Sequence, residues 1–165
     1  MNTIWDEIDK KMHRDWTSAL QRVKEWKAAN EKVVFTNGCF DLLHLGHLKY
    51  LAEAADLGQR LIIGLNSDSS VRILKGPSRP VKEEYERAMQ LVTLSYVDGI
   101  VVFNEETPKE LITYLMPDIL VKGGDYTIDQ IVGAQEVLSA GGKVKILSFI
   151  EGYSTSDLIQ KIKAQ

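Results

Sequence analysis

The chain has 165 residues, the size of one domain with a full core, and its 44% hydrophobic and 26% charged residues fit a soluble globular protein better than a disordered or fibrous one. A formal net charge of −3 excludes the basic field that draws nucleic acid or an anionic membrane, and a single cysteine, Cys39, excludes an intrachain disulfide or a four-thiolate zinc site. The opening residues lack the long apolar core of a signal peptide or membrane span, so a reducing cytoplasmic setting is expected.

Apolar side chains at Ile4, Ile8, Met12, Trp16, Leu20 and Val23 recur at helical spacing and predict a helical extension of one or two helices over residues 1–30. Trp5, Trp16 and Trp26 in this stretch read as packing or oligomer contacts. Residues 31–165 form the main domain. Lys32 to Thr36 is a short β-branched run, followed by Asn37-Gly38 and then by Leu45, Leu48, Leu51, Ala52 and Ala55 on one helical face. Further buried strands are predicted at Arg60 to Asn66, Gly99 to Phe103, Asp118 to Lys122 and Lys143 to Ser148. Helices are predicted over Glu83 to Ser95, Pro108 to Met116 and about Asp129 to Ala140. Thr107, Pro108 and Glu110 are expected to form a capping box, and Ser154 with Asp157 to open a last helix. Ser67 to Lys82 reads as one long irregular loop. Alternating strands and helices predict an α/β fold, a Rossmann-like doubly wound sheet of about five parallel strands with helices on both faces. Ligands are then expected at the carboxyl ends of the strands.

The most informative segment is Phe35 to His47, FTNGCFDLLHLGH, in which a strand enters a glycine turn and then a helix, with His44 and His47 flanking Gly46. This composition predicts about 0.004 such His-x-Gly-His windows per chain. A helix N-terminus offers unpaired N–H groups and a positive dipole end, glycine lets phosphate approach the backbone, and two imidazoles add donors. Thr36, Asn37, Gly38, Cys39, Phe40 and Gly46 are therefore candidate phosphate-loop residues. The competing role for the histidines is structural capping or metal binding. Lys75 and Arg79, between glycine and prolines, are candidates for closing cations over phosphates, and otherwise a solvated loop.

Asp41 is a candidate for orienting an imidazole or holding Mg²⁺, or else a turn cap; Asp68, after a strand with Asn66, is equally a helix cap. Lys122, Gly123 and Asp125 belong to a turn that can edge a base. Ser154, Thr155 and Ser156 open a helix that makes a second phosphate cradle. Cys39 reads as a packed thiol, not a nucleophile.

These segments carry a resemblance. The His-x-Gly-His window after a strand resembles the cytidylyltransferase-like nucleotidyltransferases, over about Lys32 to Ala164. FTNGCFDLLHLGH, KGPSRP, VKGGDY and GYSTSDLI together look most like the branch that adenylylates D-glycero-β-D-manno-heptose 1-phosphate for lipopolysaccharide synthesis. The resemblance implies that His44 and His47 contact the triphosphate and stabilise the transition state, and that Lys75 and Arg79 touch phosphates. It places Asn66 and Asp68 near the acceptor and metal. ATP with Mg²⁺ and a sugar 1-phosphate are the implied substrates, a homo-oligomer the implied assembly. Because the heptose enzyme is often fused to a sugar kinase, a separate kinase is the implied partner. Phe149 departs from cytidine-using relatives, which commonly place arginine there. The alternatives are a cytidylyl- or guanylyltransferase acting on another phosphorylated sugar or polyol such as glycerol 3-phosphate, and a non-catalytic nucleotide-binding module.

Overall fold

The computed structural model describes residues 1–165. Six strands form one parallel sheet: β1 (Met12–His13), β2 (Val33–Gly38), β3 (Arg60–Asn66), β4 (Gly99–Phe103), β5 (Ile119–Gly123) and β6 (Lys143–Leu147), in the order β1-β4-β3-β2-β5-β6. All five pairings are parallel. The helices are α1 (Ile4–Asp9), α2 (Trp16–Ala28), α3 (Leu45–Ala55), α4 (Asp68–Lys75), α5 (Glu84–Val92), α6 (Lys109–Leu115), α7 (Ala134–Ser139) and α8 (Thr155–Lys163).

The strands read as continuous apolar runs because both faces are covered. Alternate residues Val33, Phe35, Ile62, Val101, Phe103 and Leu120 point to a core with α2, α6 and α7. Their neighbours Val34, Leu61, Ile63, Leu65, Ile100 and Val121 point to a core with α3 and α5. This is the doubly wound fold predicted from the alternation. The chain runs outward from β2 through β3 to β4, then returns to β5 on the other flank of β2, so the topological switch point, where open α/β sheets generally bind ligands, lies at the β2–β5 junction.

Four local expectations are corrected. The sheet has six strands, not five, because Met12 and His13 leave the helical pattern and pair in parallel with Ile100 and Val101. Much of the Ser67 to Lys82 loop is helix α4: Ser67 caps it by accepting the Ser70 N–H at 3.2 Å, and Lys75 is its last residue, before Gly76 at φ 98°. The helix is only eight residues long, and of its apolar side chains Val71 is buried while Ile73 and Leu74 are exposed. The Asp129 to Ala140 helix is split into a 3₁₀ turn at Ile128–Gln130 and α7, because Gly133 takes φ 83° with Ile112 packed where a Cβ would be. Thr107 makes no capping bond to α6, whose N-terminal flank is Pro108.

Candidate active site

β2 delivers the chain to the switch point and α3 starts there. Gly38 has no room for a side chain, since a Cβ would lie 2.9 Å from the Phe40 ring. Phe40 itself is buried at φ 44°, a left-handed conformation that costs a non-glycine residue roughly 1 kcal/mol or more and persists only where packing enforces it. Its ring meets His47 edge-on, with centroids 5.3 Å apart. Phe40 therefore shapes the loop and backs the histidine, with its side chain in the core.

His44 is the N-cap of α3, its Nδ1 accepting the His47 N–H at 3.4 Å, and the two imidazoles stack with centroids 3.8 Å apart. Since His44 Nδ1 accepts, its proton resides on Nε2, which is left as a donor. Burial and the neighbouring His44 ring lower the His47 pKa to about 4, and its Nδ1 is buried without a partner. Gly46 makes the arrangement possible: a Cβ there would lie 2.9 Å from the His44 ring and 3.3 Å from Tyr153.

The second cradle arrives at the same place. Ser154 caps α8 by accepting the Asp157 N–H at 3.0 Å, Thr155 Oγ1 donates to the Leu42 carbonyl at 3.4 Å, and Tyr153 lies 6.4 Å from His44 between ring centroids. Two helix N-termini, α3 and α8, thus meet beside two imidazoles, an arrangement suited to a polyphosphate. Thr36, by contrast, is fully buried and shares a 2.6 Å hydrogen bond with Tyr50, which also donates to the Val121 carbonyl at 3.4 Å. It braces β2 against α3 and β5.

The acidic candidates are engaged elsewhere. Asp41, 2% exposed, accepts from Arg79 Nε at 2.6 Å and from the Val81 and Lys82 backbone N–H groups at 2.9 and 3.0 Å. Although burial opposes it, these bonds hold its carboxyl below the usual range. Asp41 and Arg79 therefore anchor the segment after α4 instead of facing an imidazole. Asp68 accepts from Arg87 Nη2 at 2.8 Å, and Asn66 donates to Ser70 at 2.9 Å. No group of three or more histidine, cysteine, aspartate or glutamate side chains comes together to hold a metal ion.

Lys75 is exposed at the end of α4, and its charge, with those of Arg87 and Arg79, faces Cys39. Lys122 is half-buried, its amine lowered by burial and lying 5.7 Å from the Tyr126 ring centroid. Gly123 and Gly124 accommodate the Phe149 ring, 2.5 Å from where a Gly123 Cβ would stand, and Asp125 is exposed in the turn. Sequence reasoning missed Arg87 and Tyr50, both buried, because nothing local separates a buried arginine or tyrosine from an exposed one on an amphipathic helix.

Burial raises the Cys39 thiol above its ordinary range despite three nearby cations, so it stays protonated at neutral pH. Cys39→Ser is expected to keep most activity. A covalent nucleotidyl adduct, seen by intact-protein mass spectrometry in the parent and absent from this variant, would contradict that.

The family model described as cytidylyltransferase-like matches residues 35–161. The chain belongs to the cytidylyltransferase-like family. It is 52% identical over 151 residues to the bifunctional protein HldE of Magnetococcus marinus, covering 92% of this chain and 31% of that protein. With the HldE of Hydrogenovibrio crunogenus it shares 55% identity over 152 residues, covering 92% and 31%. The chain thus spans under a third of the length of these curated relatives. Among solved structures, the lipopolysaccharide core biosynthesis protein of Thermoplasma volcanium is 29% identical with a TM-score of 0.59, covering 75% of this chain and 99% of that one. A pantoate-beta-alanine ligase from Francisella tularensis shares the fold at 10% identity, with a TM-score of 0.58 over 92% of this chain and 76% of that one. The family match contains the imidazole pair, the β5 turn and all but the end of α8. No helix is long and apolar enough to cross a membrane.

The imidazoles also set a pH dependence. His47 has a folded-state pKa of about 4 against an ordinary 6.5, so the unfolded chain takes up the proton first as the pH falls. Stability is full above about 6.5 and declines toward about 4, by at most about 3 kcal/mol. His13 and His44, both lowered by burial, act in the same direction. Urea unfolding at several pH values between 7.5 and 4.5 should show a falling midpoint; a flat profile would contradict the assignment.

Proposed function

We propose that this chain transfers AMP from ATP to D-glycero-β-D-manno-heptose 1-phosphate, releasing pyrophosphate. The observation that carries the reading is the convergence of the α3 and α8 N-termini on the stacked His44 and His47, above the β2–β5 junction. Relatives named HldE and a lipopolysaccharide core biosynthesis protein support the choice of substrate class.

In this reaction an acceptor phosphate oxygen attacks the α-phosphorus, and the bond from that phosphorus to the bridging oxygen breaks. The electron pair leaves with pyrophosphate. The attacking oxygen is already ionised, so neither a protein nucleophile nor a general base is required. The protein's task is to hold the two phosphates in line and to place donors where charge develops. His44 Nε2, His47, the N–H groups opening α3 and α8, and the Lys75 ammonium supply them. Mg²⁺ enters bound to the triphosphate, as part of that substrate. The acceptor's phosphate is installed beforehand by a kinase, on this polypeptide or another, and both steps belong in the cytoplasm with ATP.

The test is a matrix of ATP, CTP, GTP and UTP against heptose 1-phosphate and glycerol 3-phosphate with Mg²⁺, scored by kcat/KM for pyrophosphate release. ATP with the heptose should be preferred. A better rate with CTP or with glycerol 3-phosphate would reject the specific substrates. No release from any pair would reject nucleotidyl transfer.

A further inference from the structure

α8 carries part of the candidate site on a helix that the fold scarcely holds. None of its residues is buried, whereas Gly46, Tyr50, Leu51 and Ala54 of α3 all are. One hydrogen bond, from Thr155 Oγ1 to the Leu42 carbonyl at 3.4 Å, ties α8 to the rest of the chain. Its nine residues are too few to be stable on backbone bonds alone, since isolated helices shorter than about 12–15 residues are marginal in water. α8 is therefore a unit of low local stability, the class from which moving lids are drawn.

One side of α8 is nevertheless shaped for packing. Leu158 and Ile162 lie four residues apart and so share a helix face, yet Ile162 is 61% exposed. Both line an open groove of about 400 Å³, together with Leu42 and Leu43 of the β2–α3 loop and with Lys82, Gln90 and Thr93 before and along α5. Leu42 and Leu43 directly precede His44, so the groove ends at the segment that carries the first imidazole. The connection from β6 has the means to turn. Gly152 takes φ 80°, and a Cβ there would meet nothing within 4 Å, so no packing fixes the chain two residues before the Ser154 cap. Two contributions then act together on α8: phosphate attracts its N-terminal N–H groups, and water releases Leu158 and Ile162 as they enter the groove.

We infer that α8 is a lid, hinged at Gly152, that closes when nucleotide binds: Leu158 and Ile162 fill the groove over Leu42 and Leu43, and the phosphates hold the α8 N-terminus in that position. The inference rests on the reading that nucleotide phosphates bind where the α3 and α8 N-termini meet. It gives Ile162, which touches no substrate, a part in nucleotide affinity.

The experiment follows amide hydrogen exchange in the full chain, alone and saturated with α,β-methylene-ATP and Mg²⁺. The amides of Gln160 to Lys163, beyond the first turn of α8, should exchange freely in the free protein and about tenfold or more slowly with nucleotide. Equal exchange in the two states would overturn the lid. Ile162→Ser supplies the second measurement, because serine and isoleucine have similar helix propensities and the site is exposed when α8 is open. The melting temperature of the free variant should stay within about 1 °C of the parent. Its Kd for α,β-methylene-ATP, measured by calorimetry, should rise about fivefold or more, and Ile162→Leu should bind as the parent does. Parent-like binding by Ile162→Ser, or a melting temperature lowered by several degrees without nucleotide, would overturn the inference. The lid and the reaction can fail separately. Nucleotide-induced protection without pyrophosphate release from any acceptor would keep the lid and reject the reaction; pyrophosphate release with α8 unprotected would do the reverse.

Discussion

His47→Ala is expected to lower kcat by about 10²-fold or more while the protein remains folded, the loss typical of a donor aimed at charge in the transition state. The ring is held on both sides, edge-on by Phe40 at 5.3 Å and stacked on His44 at 3.8 Å, so little of its orientation is left to chance. With its pKa held to about 4, it is neutral at pH 7 before substrate binds. A triphosphate beside the pair would add opposing charge and favour the protonated, doubly donating form, most strongly as charge builds on the departing pyrophosphate. The substitution should therefore act on kcat more than on the KM for ATP. His44→Ala should differ, because His44 also caps α3 and its loss should reduce stability by about 1 kcal/mol as well as turnover. Pyrophosphate release and urea unfolding on both variants check this. Near-normal turnover in His47→Ala would remove the imidazole pair from the mechanism.

What could be seen in the sequence follows from how far apart the interacting residues lie. Continuous apolar runs such as Arg60 to Asn66 announced strands buried on both faces, and the alternation with helices announced the sheet. His44, Gly46 and His47 are neighbours on one turn, so their spacing alone placed them together, and Ser154 before Asp157 marked the α8 cap for the same reason. The acidic candidates were out of reach. Asp41 meets Arg79 from 38 residues away and Asp68 meets Arg87 from 19 away, and no local pattern tells a carboxylate in such a pair from one that faces a ligand. β1 was hidden by its length, since two residues of strand inside an amphipathic stretch leave no period to detect.

Arg87→Leu is expected to destabilise the protein by about 3–5 kcal/mol and to abolish measurable turnover. In sequence Arg87 is one charge on an ordinary helical pattern; in the fold it is fully buried. Its Nη1 donates to the Cys39 carbonyl at 2.7 Å and the Asn66 carbonyl at 2.8 Å, its Nε to the Lys82 carbonyl at 3.0 Å, and its Nη2 to Asp68 at 2.8 Å. One guanidinium thus joins the loop after β2, the end of β3, the start of α4 and the segment entering α5. Leucine fills much of the volume but leaves three carbonyls without their donor, and each such group that stays buried and unsatisfied costs about 1–3 kcal/mol. Arg87→Lys should not rescue it, because a single ammonium cannot span acceptors that a planar fork reaches at once. Asp68→Asn should be milder, since Asp68 is 23% exposed and water can replace part of the pair. Activity should fall further than stability alone explains, because Cys39 sits between Gly38 and Phe40, and release of its carbonyl frees the loop that backs His47. Urea unfolding gives the stability change, and pyrophosphate release at a temperature where the variant is still folded gives the rest. An Arg87→Leu protein within about 1 kcal/mol of the parent would mean the network relaxes without it, and the loop is then held by Phe40 packing alone.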